Sequence, residues 1–264
     1  MCSTCGCITH HEHSHKNNQT STETTNLLTH LLAENNHQAL HNREHFDQHG
    51  VLVLNLMSSP GAGKTALLES TIDALKEEFS IAVIEGDLET ENDANRIRQK
   101  GIPAFQIMTG SACHLDAQLI HQALHHLDLT SLDLLFIENV GNLVCPASFD
   151  LGQHRNIVLL STTEGHDKPI KYPVMFRTAD LVLITKMDLL PVLEDFDLQT
   201  ADNYLRQLAN IAPMISVSAK KQQGLDAWFT WLRQQICNQK EHLQQSQISP
   251  LHHHHHSSDS VVHI

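Results

Sequence analysis

Ser58-Ser59-Pro60-Gly61-Ala62-Gly63-Lys64-Thr65 is the stretch of this chain that decides its fold. It follows an apolar run from Val51 to Met57 and precedes a helical pattern that begins near Ala66. A strand, a glycine-rich loop and a helix in this order are typical of a phosphate-binding loop, where backbone N–H groups and a helix N-terminus face an anion. The stretch therefore predicts a nucleotide-binding α/β protein.

Each part of this loop has an expected contact. The backbone from Gly61 to Ala66 would surround the phosphates, Lys64 would reach the β- and γ-phosphates, and the Thr65 hydroxyl would bind Mg2+. The usual pattern has glycine at the position of Ser58, but the Gly-Lys-Thr end is intact. A glycine-rich turn without a ligand is the alternative, and the flanking strand and helix favour the phosphate-binding loop.

Composition limits the classes of function. With 264 residues, 41% of them hydrophobic, the chain can form one substantial domain with appended segments. A formal net charge of −13 and the lack of a Lys/Arg-rich block argue against nucleic acid and anionic membranes as partners. No secretory signal opens the chain, and no apolar run reaches the roughly 18 to 20 residues of a membrane span. We therefore expect a cytoplasmic protein with reduced thiols.

The chain divides into four expected segments. Residues 1–23 read as a flexible Cys/His-rich metal-binding tail, and residues 24–49 as a helix or helix pair with a break at Asn35-Asn36. Residues 50–237 would form the P-loop domain. Residues 238–264 are polar and rich in histidine, so we expect them to be disordered, with the run His252 to His256 either native or an added tag.

Strand and helix patterns alternate from Val51 onward. The strand segments are apolar without alternation, which indicates strands buried on both faces of a parallel sheet covered by helices. The pattern predicts a doubly wound, mostly parallel α/β sheet. The predicted strands are 51–57, 81–85, 104–108, 132–138, 157–161, 181–185 and 214–217, and the predicted helices are 66–79, 92–100, 114–127, 198–209 and 225–236.

Acidic residues follow two of the predicted strands. Asp87 would approach Mg2+ and the attacking water, unless its segment is only a solvated acidic turn. Glu138 would lie near the same ion, and the N–H of Gly141 would sense a γ-phosphate, as in a switch loop that the third phosphate orders. No arginine finger is evident, and Arg96, Arg98 and Lys168 are candidates to reach a phosphate. The residues expected to act in hydrolysis are Lys64, Thr65, Asp87 and Glu138.

Two loops after later strands predict the base. The Asp188 carboxylate would accept hydrogen bonds from N1–H and the 2-amino group of guanine, a donor pair that adenine lacks. The Lys186 stem would lie over the base, and the backbone of Ser218-Ala219-Lys220 would meet guanine O6. Thr185 stands where asparagine is common in such loops, which predicts a weaker tie to the phosphate-binding loop. Guanine nucleotide binding is the expectation, and ATP binding is the alternative.

The first residues carry three thiols. Cys2, Cys5 and Cys7 lie within six residues, and thiolate ligands favour Zn2+, Ni2+ or Cu(I) over Mg2+. Idle cysteines are the alternative, although a tail has no core in which to pack them.

A second set of metal ligands lies within the predicted domain. Cys113 and His114 start a predicted helix, where the pKa of a thiol falls, and Cys145 follows Gly141 by four residues. If these three side chains shared an ion, nucleotide state and metal occupancy would be linked. Buried cysteines and a helix-capping histidine are the alternative. Three further histidines fit a polar helix face, namely His121, His125 and His126.

Four longer motifs resemble a known family. They are Met1 to Cys7, Asn55 to Thr65, Glu138 to Pro146 and Lys168 to Pro173. From Met1 to about Ile236 the chain resembles the hydrogenase nickel incorporation proteins of the HypB family, which are GTPase metallochaperones of the SIMIBI class. The resemblance makes Ser58 a family trait.

This resemblance implies a slow regulatory GTPase that uses GTP and Mg2+ and delivers Ni2+ during maturation of NiFe hydrogenase. It also implies GTP-dependent homodimerisation, with Ni2+ or Zn2+ bound by Cys113, His114 and Cys145 at the subunit interface. The tail cysteines would form a separate nickel site. The implied partners are a HypA-type metallochaperone and the NiFe hydrogenase large subunit precursor. A urease-type nickel GTPase, a nickel storage protein and an ATP-driven metal inserter are the alternatives.

Overall fold

A seven-stranded parallel sheet flanked by helices forms the body of the protein. The computed structural model describes residues 17–87, 91–110 and 112–248. The strands are β1 (Leu52–Ser58), β2 (Ile81–Asp87), β3 (Ala104–Met108), β4 (Leu134–Glu138), β5 (Arg155–Ser161), β6 (Leu181–Thr185) and β7 (Met214–Ser216). The helices are α1 (Asn17–His49), α2 (Lys64–Leu75), α3 (Asn92–Arg98), α4 (Ala117–Leu124), α5 (Lys168–Lys171), α6 (Pro173–Arg177), α7 (Leu198–Gln207) and α8 (Leu225–Ile248).

The strand order is β3-β2-β4-β1-β5-β6-β7, and every neighbouring pair is parallel. This confirms the predicted doubly wound α/β fold. The carboxyl ends of parallel strands meet at one edge of the sheet, which is where ligands bind in open sheets of this kind. The register also sets Glu85 of β2 directly beside Glu138 of β4. Two carboxylates from different strands therefore meet at that edge.

The core lies on both faces of the sheet because successive side chains of a strand point to opposite faces. On one face Leu54 packs in a cluster with Ile72 of α2 and Trp228 of α8. On the other face Val53 packs with Phe46 of α1 and Ile120 of α4. The helices that cover the two faces thus hold the strand ends in fixed positions.

The N-terminal helix differs from its prediction. The chain forms one helix, Asn17–His49, which passes through Asn35-Asn36 without a break and begins inside the segment expected to be a flexible tail. Asn35 is buried, donates to the Asp150 carbonyl at 2.8 Å and accepts from the Ala117 amide at 2.9 Å. Asn35 therefore serves a tertiary contact, so the predicted break is wrong.

Two other boundaries also differ. The helix α4 begins at Ala117 instead of His114, because the Asp116 side chain caps it by accepting from the Leu119 amide at 2.8 Å. The helix α8 runs to Ile248, so residues 238–248 are helical where disorder was predicted. No helix in the described ranges combines the length and apolar character that crossing a bilayer requires.

Candidate functional site

The phosphate-binding loop joins β1 to α2. Gly61 and Gly63 have φ angles of +73° and +100°, and a Cβ built on either would meet no atom within 4 Å, so both glycines face open space. Lys64 is only 8% exposed, and its ammonium donates to the Ser58 hydroxyl at 3.1 Å. The serine at the usual glycine position thus holds the lysine side chain over the loop.

Thr65 and Glu138 meet beside this loop. The Thr65 hydroxyl donates to Oε1 of Glu138 at 2.9 Å, while Oε2 of Glu138 is buried and has no hydrogen-bond partner among the described residues. Glu85 and Asp93 place carboxylate oxygens within 4.8 Å of those of Glu138 and of each other. Asp87 lies in the same cavity of about 390 Å3. The site thus gathers more carboxylates than the two that the sequence predicted.

Burial changes the protonation of this acidic group. It raises the pKa of Glu138 to about 7, against the opposing effect of the Lys64 charge. Burial and the neighbouring Glu138 raise the pKa of Glu85 to about 8. Mg2+ is bound by oxygen ligands, and Oε2 of Glu138 has no other partner among the described residues, so these residues fit that ion.

Three cationic side chains were candidates to reach a phosphate. Arg96 lines the phosphate cavity and pairs with Glu69 at 2.6 Å and Asp93 at 2.9 Å. Arg98 pairs with Glu91 instead, and Lys168 lies over the Tyr172 ring. Of the three, only Arg96 lines the phosphate cavity of this chain.

The predicted base-binding residues line a second cavity, of about 340 Å3. The two cavities share Gly63 and Ala66, so they adjoin at the phosphate-binding loop. The lining is mostly apolar, which suits the flat face of a base, and the Asp188 side chain supplies a carboxylate to it. The predicted residues found in this cavity are Ala62, Gly63, Ala66, Lys186, Asp188, Ser218, Ala219 and Lys220.

The tie between this base cavity and the phosphate-binding loop is direct. The Thr185 hydroxyl donates to the Ala62 carbonyl at 2.7 Å, and Thr185 is buried. Threonine at this position thus still bonds the base loop to the phosphate-binding loop, and the weakening relative to asparagine stays a prediction. The next residue, Lys186, has a left-handed backbone, and its carbonyl accepts from the Thr162 hydroxyl at 3.0 Å.

Cys113, His114 and Cys145 lie together on a neighbouring surface. The two Sγ atoms are 2.9 Å apart, Nδ1 of His114 is 3.8 Å from Sγ of Cys113, and all three candidate ligand atoms lie within 4.8 Å. His114 also stacks on Phe149 at 3.9 Å between ring centroids. Two sulfurs and one imidazole nitrogen are ligands that suit Ni2+ or Zn2+.

The position of Cys113 differs from the prediction, which placed this thiol at the start of a helix. Because α4 begins at Ala117, Cys113 lies before the first turn and its cap. The hydrogen bond with Cys113 raises the pKa of the Cys145 thiol. Burial lowers the pKa of His114, which keeps the ring in the neutral form that binds metals.

A hydrogen-bonded loop joins the two regions. Asn139, directly after β4, accepts from the Leu115 amide at 3.3 Å and donates to Asn55 on β1 at 3.2 Å. Asn142 donates to the Cys113 carbonyl at 3.3 Å. The segment that leaves Glu138 is thus bonded to the segment that carries Cys113. The tail cysteines Cys2, Cys5 and Cys7 lie outside the described residues.

Sequence reasoning missed Glu85 and Asp93. Neither belongs to a motif of fixed spacing, and only the pairing of β2 with β4 brings Glu85 to Glu138. A signal was nevertheless present, since Glu85 is the one acidic side chain within an apolar segment, Ile81 to Gly86, that should be buried.

Comparison with known proteins identifies the family. Residues 52–216 match the model of the CobW/HypB/UreG nucleotide-binding domain. The hydrogenase maturation factor HypB of Azotobacter vinelandii is 51% identical over 205 residues, covering 78% of this chain and 67% of that protein. The hydrogenase/urease maturation factor HypB of Helicobacter hepaticus is 45% identical over 222 residues, covering 83% of this chain and 90% of that protein.

Solved structures agree with the sequence relatives. The crystal structure of HypB from Helicobacter pylori in complex with nickel has a TM-score of 0.74 and 43% identity, covering 78% of this chain and 96% of that one. The structure of HypB from Archaeoglobus fulgidus has a TM-score of 0.72 and 38% identity, covering 78% of this chain and all of that one, 100%. With its matched nucleotide-binding domain and these relatives, the chain belongs to the HypB family of hydrogenase maturation factors.

Proposed function

We propose that the protein is a GTP-hydrolysing metallochaperone that delivers nickel during maturation of NiFe hydrogenase. The observation that carries this proposal is the loop from Glu138 to Cys145, which begins at the phosphate cavity and ends at the cysteine pair. A change of loop position on GTP hydrolysis would move a ligand of the cargo. Nucleotide state and nickel affinity would then depend on each other by linkage.

Hydrolysis would depend on positioning and charge. Lys64, released from Ser58, would contact the β- and γ-phosphates, and the N–H of Gly141 would contact the γ-phosphate. Thr65 and Glu138, with Asp87, Glu85 and Asp93 nearby, would hold Mg2+. When bound, this ion supplies positive charge that offsets the charge on the phosphates.

Guanine specificity would come from Asp188. Its carboxylate offers two acceptors to the N1–H and 2-amino donors of guanine, and the stem of Lys186 would cover the base. ATP would leave those acceptors without partners, which is costly in a buried site.

Nickel is the proposed cargo of Cys113, His114 and Cys145, with zinc as a second ion that the same ligands accept. Val144, the neighbour of Cys145 in the chain, is 60% exposed, and Met108 at the end of β3 is 64% exposed. Exposed apolar side chains beside an open coordination position support a homodimer in which this site lies at the interface. A HypA-type metallochaperone and the hydrogenase large subunit precursor are the proposed partners, in the cytoplasm.

Delivery of nickel to urease is a second candidate function. It is favoured by the combined hydrogenase/urease name of the Helicobacter hepaticus relative. The two candidates are separated by which apo-enzyme, hydrogenase large subunit or urease, gains nickel when the loaded protein and GTP are added.

GTP turnover of the full chain tests the enzyme. We expect Lys64→Ala to abolish turnover and Lys76→Ala, an exposed lysine at the end of α2, to leave it unchanged. Asp188→Asn should reduce the preference for GTP over ATP, because an amide replaces one acceptor by a donor. If GTP turnover survives Lys64→Ala, the proposed GTPase activity is wrong, and only the proposed nickel binding remains.

Nickel titration tests the coupling. We expect the nickel affinity of the full chain to differ between GDP and a non-hydrolysable GTP analogue. Cys145→Ala should weaken nickel binding and remove that difference. The matched control is Cys237→Ala, because Cys237 is exposed on α8 and bonds to Glu241. If Cys145→Ala binds nickel as the unmodified protein does in both nucleotides, the proposed coupling is wrong.

A further inference from the structure

Five histidines face one another across the junction of α1 and α4. His41, His45 and His49 lie in α1, His121 lies in α4, and His125 directly follows the last residue of α4. Residues four apart on a helix lie on the same face one turn apart. Each helix therefore presents a histidine row to the other. We call these five residues the histidine junction.

Neighbouring rings of the histidine junction lie about as far apart as two ligands of one ion. The ring centroids of His121 and His125 are 5.2 Å apart, and those of His41 and His121 are 5.3 Å apart. His45 lies 5.6 Å from His41. With metal–nitrogen distances near 2.0–2.1 Å, two imidazoles in a tetrahedral arrangement have centroids roughly 5 Å apart. The two pairs that include His121 match that value, so His121 is the central ring of the group.

These nitrogens are available to a ligand. Nδ1 of His121 is shielded from solvent and has no hydrogen-bond partner among the described residues. Burial and the neighbouring histidines lower the pKa of His121, so the ring is neutral, as a metal ligand must be. In contrast, Nδ1 of His49 is paired with the His45 carbonyl at 2.8 Å.

There is also space between the helices. A cavity of about 240 Å3 is lined by His45, His49, His121 and His125. The carboxylate of Asp128 borders it, but one oxygen caps the following turn by accepting from the Thr130 amide at 3.1 Å and hydroxyl at 2.6 Å. Imidazoles thus dominate the ligands at this cavity.

We propose that His41 and His125 turn their rings toward His121 and that the three bind one divalent transition ion, Ni2+ or Zn2+. Neutral imidazoles suit these borderline ions and disfavour Mg2+. This site is separate from the cysteine pair, and metal binding there does not require the proposed GTPase cycle. It replaces the interpretation of His121 and His125 as a polar helix face.

An ion at the histidine junction would fasten α1 to α4. The two helices are already joined at one end, where Asn42 donates to the Ala117 carbonyl at 2.8 Å. His41 lies one position before Asn42, so a bound ion would add a second link close to the first. The segment that carries Cys113 leads directly into this part of α4. A bound ion would therefore restrain the segment that leads from Cys113 into α4.

Hydrogen exchange of the full chain tests the proposal, with Ni2+ alone as the probe. We expect Ni2+ to slow amide exchange in residues 37–49 and 117–126. In the double variant His121→Gln/His125→Gln, the Ni2+ concentration that gives half of this slowing should rise roughly tenfold or more, because two ligands are lost. We call this concentration the midpoint. His41→Gln should shift the midpoint in the same direction. Because His41 is exposed, this variant tests the site even if the double variant misfolds.

The matched control is His126→Gln, because His126 stacks on Phe105 at 4.4 Å and lies outside the histidine junction. Its midpoint should equal that of the unmodified protein. Cys113→Ala/Cys145→Ala should also keep the slowing, which separates this site from the cargo site. The proposal is overturned if Ni2+ does not slow these segments, if both histidine variants respond like the unmodified protein, or if the cysteine variant loses the effect.

Discussion

Gly141 packs directly against Pro60, so that a Cβ added at Gly141 would lie 2.9 Å from the Pro60 Cα and 3.0 Å from its nitrogen. Pro60 belongs to the phosphate-binding loop, and Gly141 lies four residues before Cys145. Real Cβ atoms do not approach backbone this closely, so one of the two loops must move if a side chain is added. The contact is thus a direct physical connection between the phosphate-binding loop and the segment that leads to Cys145.

Replacement of Gly141 by alanine tests this connection. We expect Gly141→Ala to push the Cys145 loop away from Pro60 and to reduce severalfold the difference in nickel affinity between GDP and a GTP analogue. Nickel titration in both nucleotides measures it. Gly101→Ala is the control for a general loss of stability, because Gly101 has a φ of +85° in open space away from the site. A full nucleotide effect in Gly141→Ala would contradict the connection.

The Thr185 hydroxyl predicts a second effect, on nucleotide affinity. Thr185→Val keeps the shape of the side chain but leaves the Ala62 carbonyl, now bonded at 2.7 Å, without a partner. An unpaired buried group costs about 1–3 kcal/mol, or roughly 5- to 150-fold in an equilibrium constant. We expect weaker GDP and GTP binding, measured by calorimetry, while Thr185→Ser should bind like the unmodified protein. Equal nucleotide affinities of Thr185→Val and Thr185→Ser would exclude a role for the hydroxyl.

The sequence predicted the sheet well because its strands are continuous apolar runs between helices. Two predicted strands, 104–108 and 181–185, have the observed bounds. Helix ends were less predictable, since they depend on side chains that act from a distance. Asn35 looked like a helix breaker, but it is held by Asp150 and Ala117, which lie far away in sequence.

The candidate site was predictable where a motif has fixed spacing and unpredictable where strands must pair. The phosphate-binding loop and the base loops follow from local sequence, whereas Glu85 meets Glu138 only through the register of β2 with β4. The histidine junction likewise needs α1 to pack on α4.

Glu85 gives the protein an unusual dependence of stability on pH. Its pKa is raised from an ordinary 4.5 to about 8, mainly by burial and then by the charge of Glu138. The folded protein therefore keeps a proton that the unfolded chain releases near pH 4.5. Between these values the unfolded state binds fewer protons, so stability from this group falls as pH rises.

Glu85→Gln should remove this effect because the amide resembles the protonated acid and cannot ionise. We expect it to raise the thermal unfolding temperature at pH 8.5 relative to the unmodified protein, with a smaller gain at pH 5.5. The measurement is made without nucleotide and with a chelator present. Glu77→Gln, at an exposed position on the surface, should change neither temperature much. An equal effect of Glu85→Gln at both pH values would show that ionisation of Glu85 is not the cause.

His154 produces the opposite dependence, on the acid side. It is buried against α1, where its Nδ1 accepts from the Val53 amide at 2.9 Å and its Nε2 lies 3.0 Å from Asp47. Burial lowers its pKa despite the Asp47 carboxylate, since protonation of Nδ1 would break the bond to Val53. The folded ring stays neutral while the unfolded ring takes up a proton near pH 6.5. Stability from this group is therefore complete above pH 6.5 and is lost as pH falls below it.

We expect His154→Gln to reduce the loss of stability between pH 8 and pH 5.5, even though the variant starts from a lower value at pH 8. The difference between urea midpoints at the two pH values measures this loss in each protein. His37→Gln, on an exposed part of α1, should lose as much stability as the unmodified protein. If His154→Gln loses as much stability between pH 8 and pH 5.5 as the control does, protonation of His154 on unfolding is not the cause of the acid sensitivity.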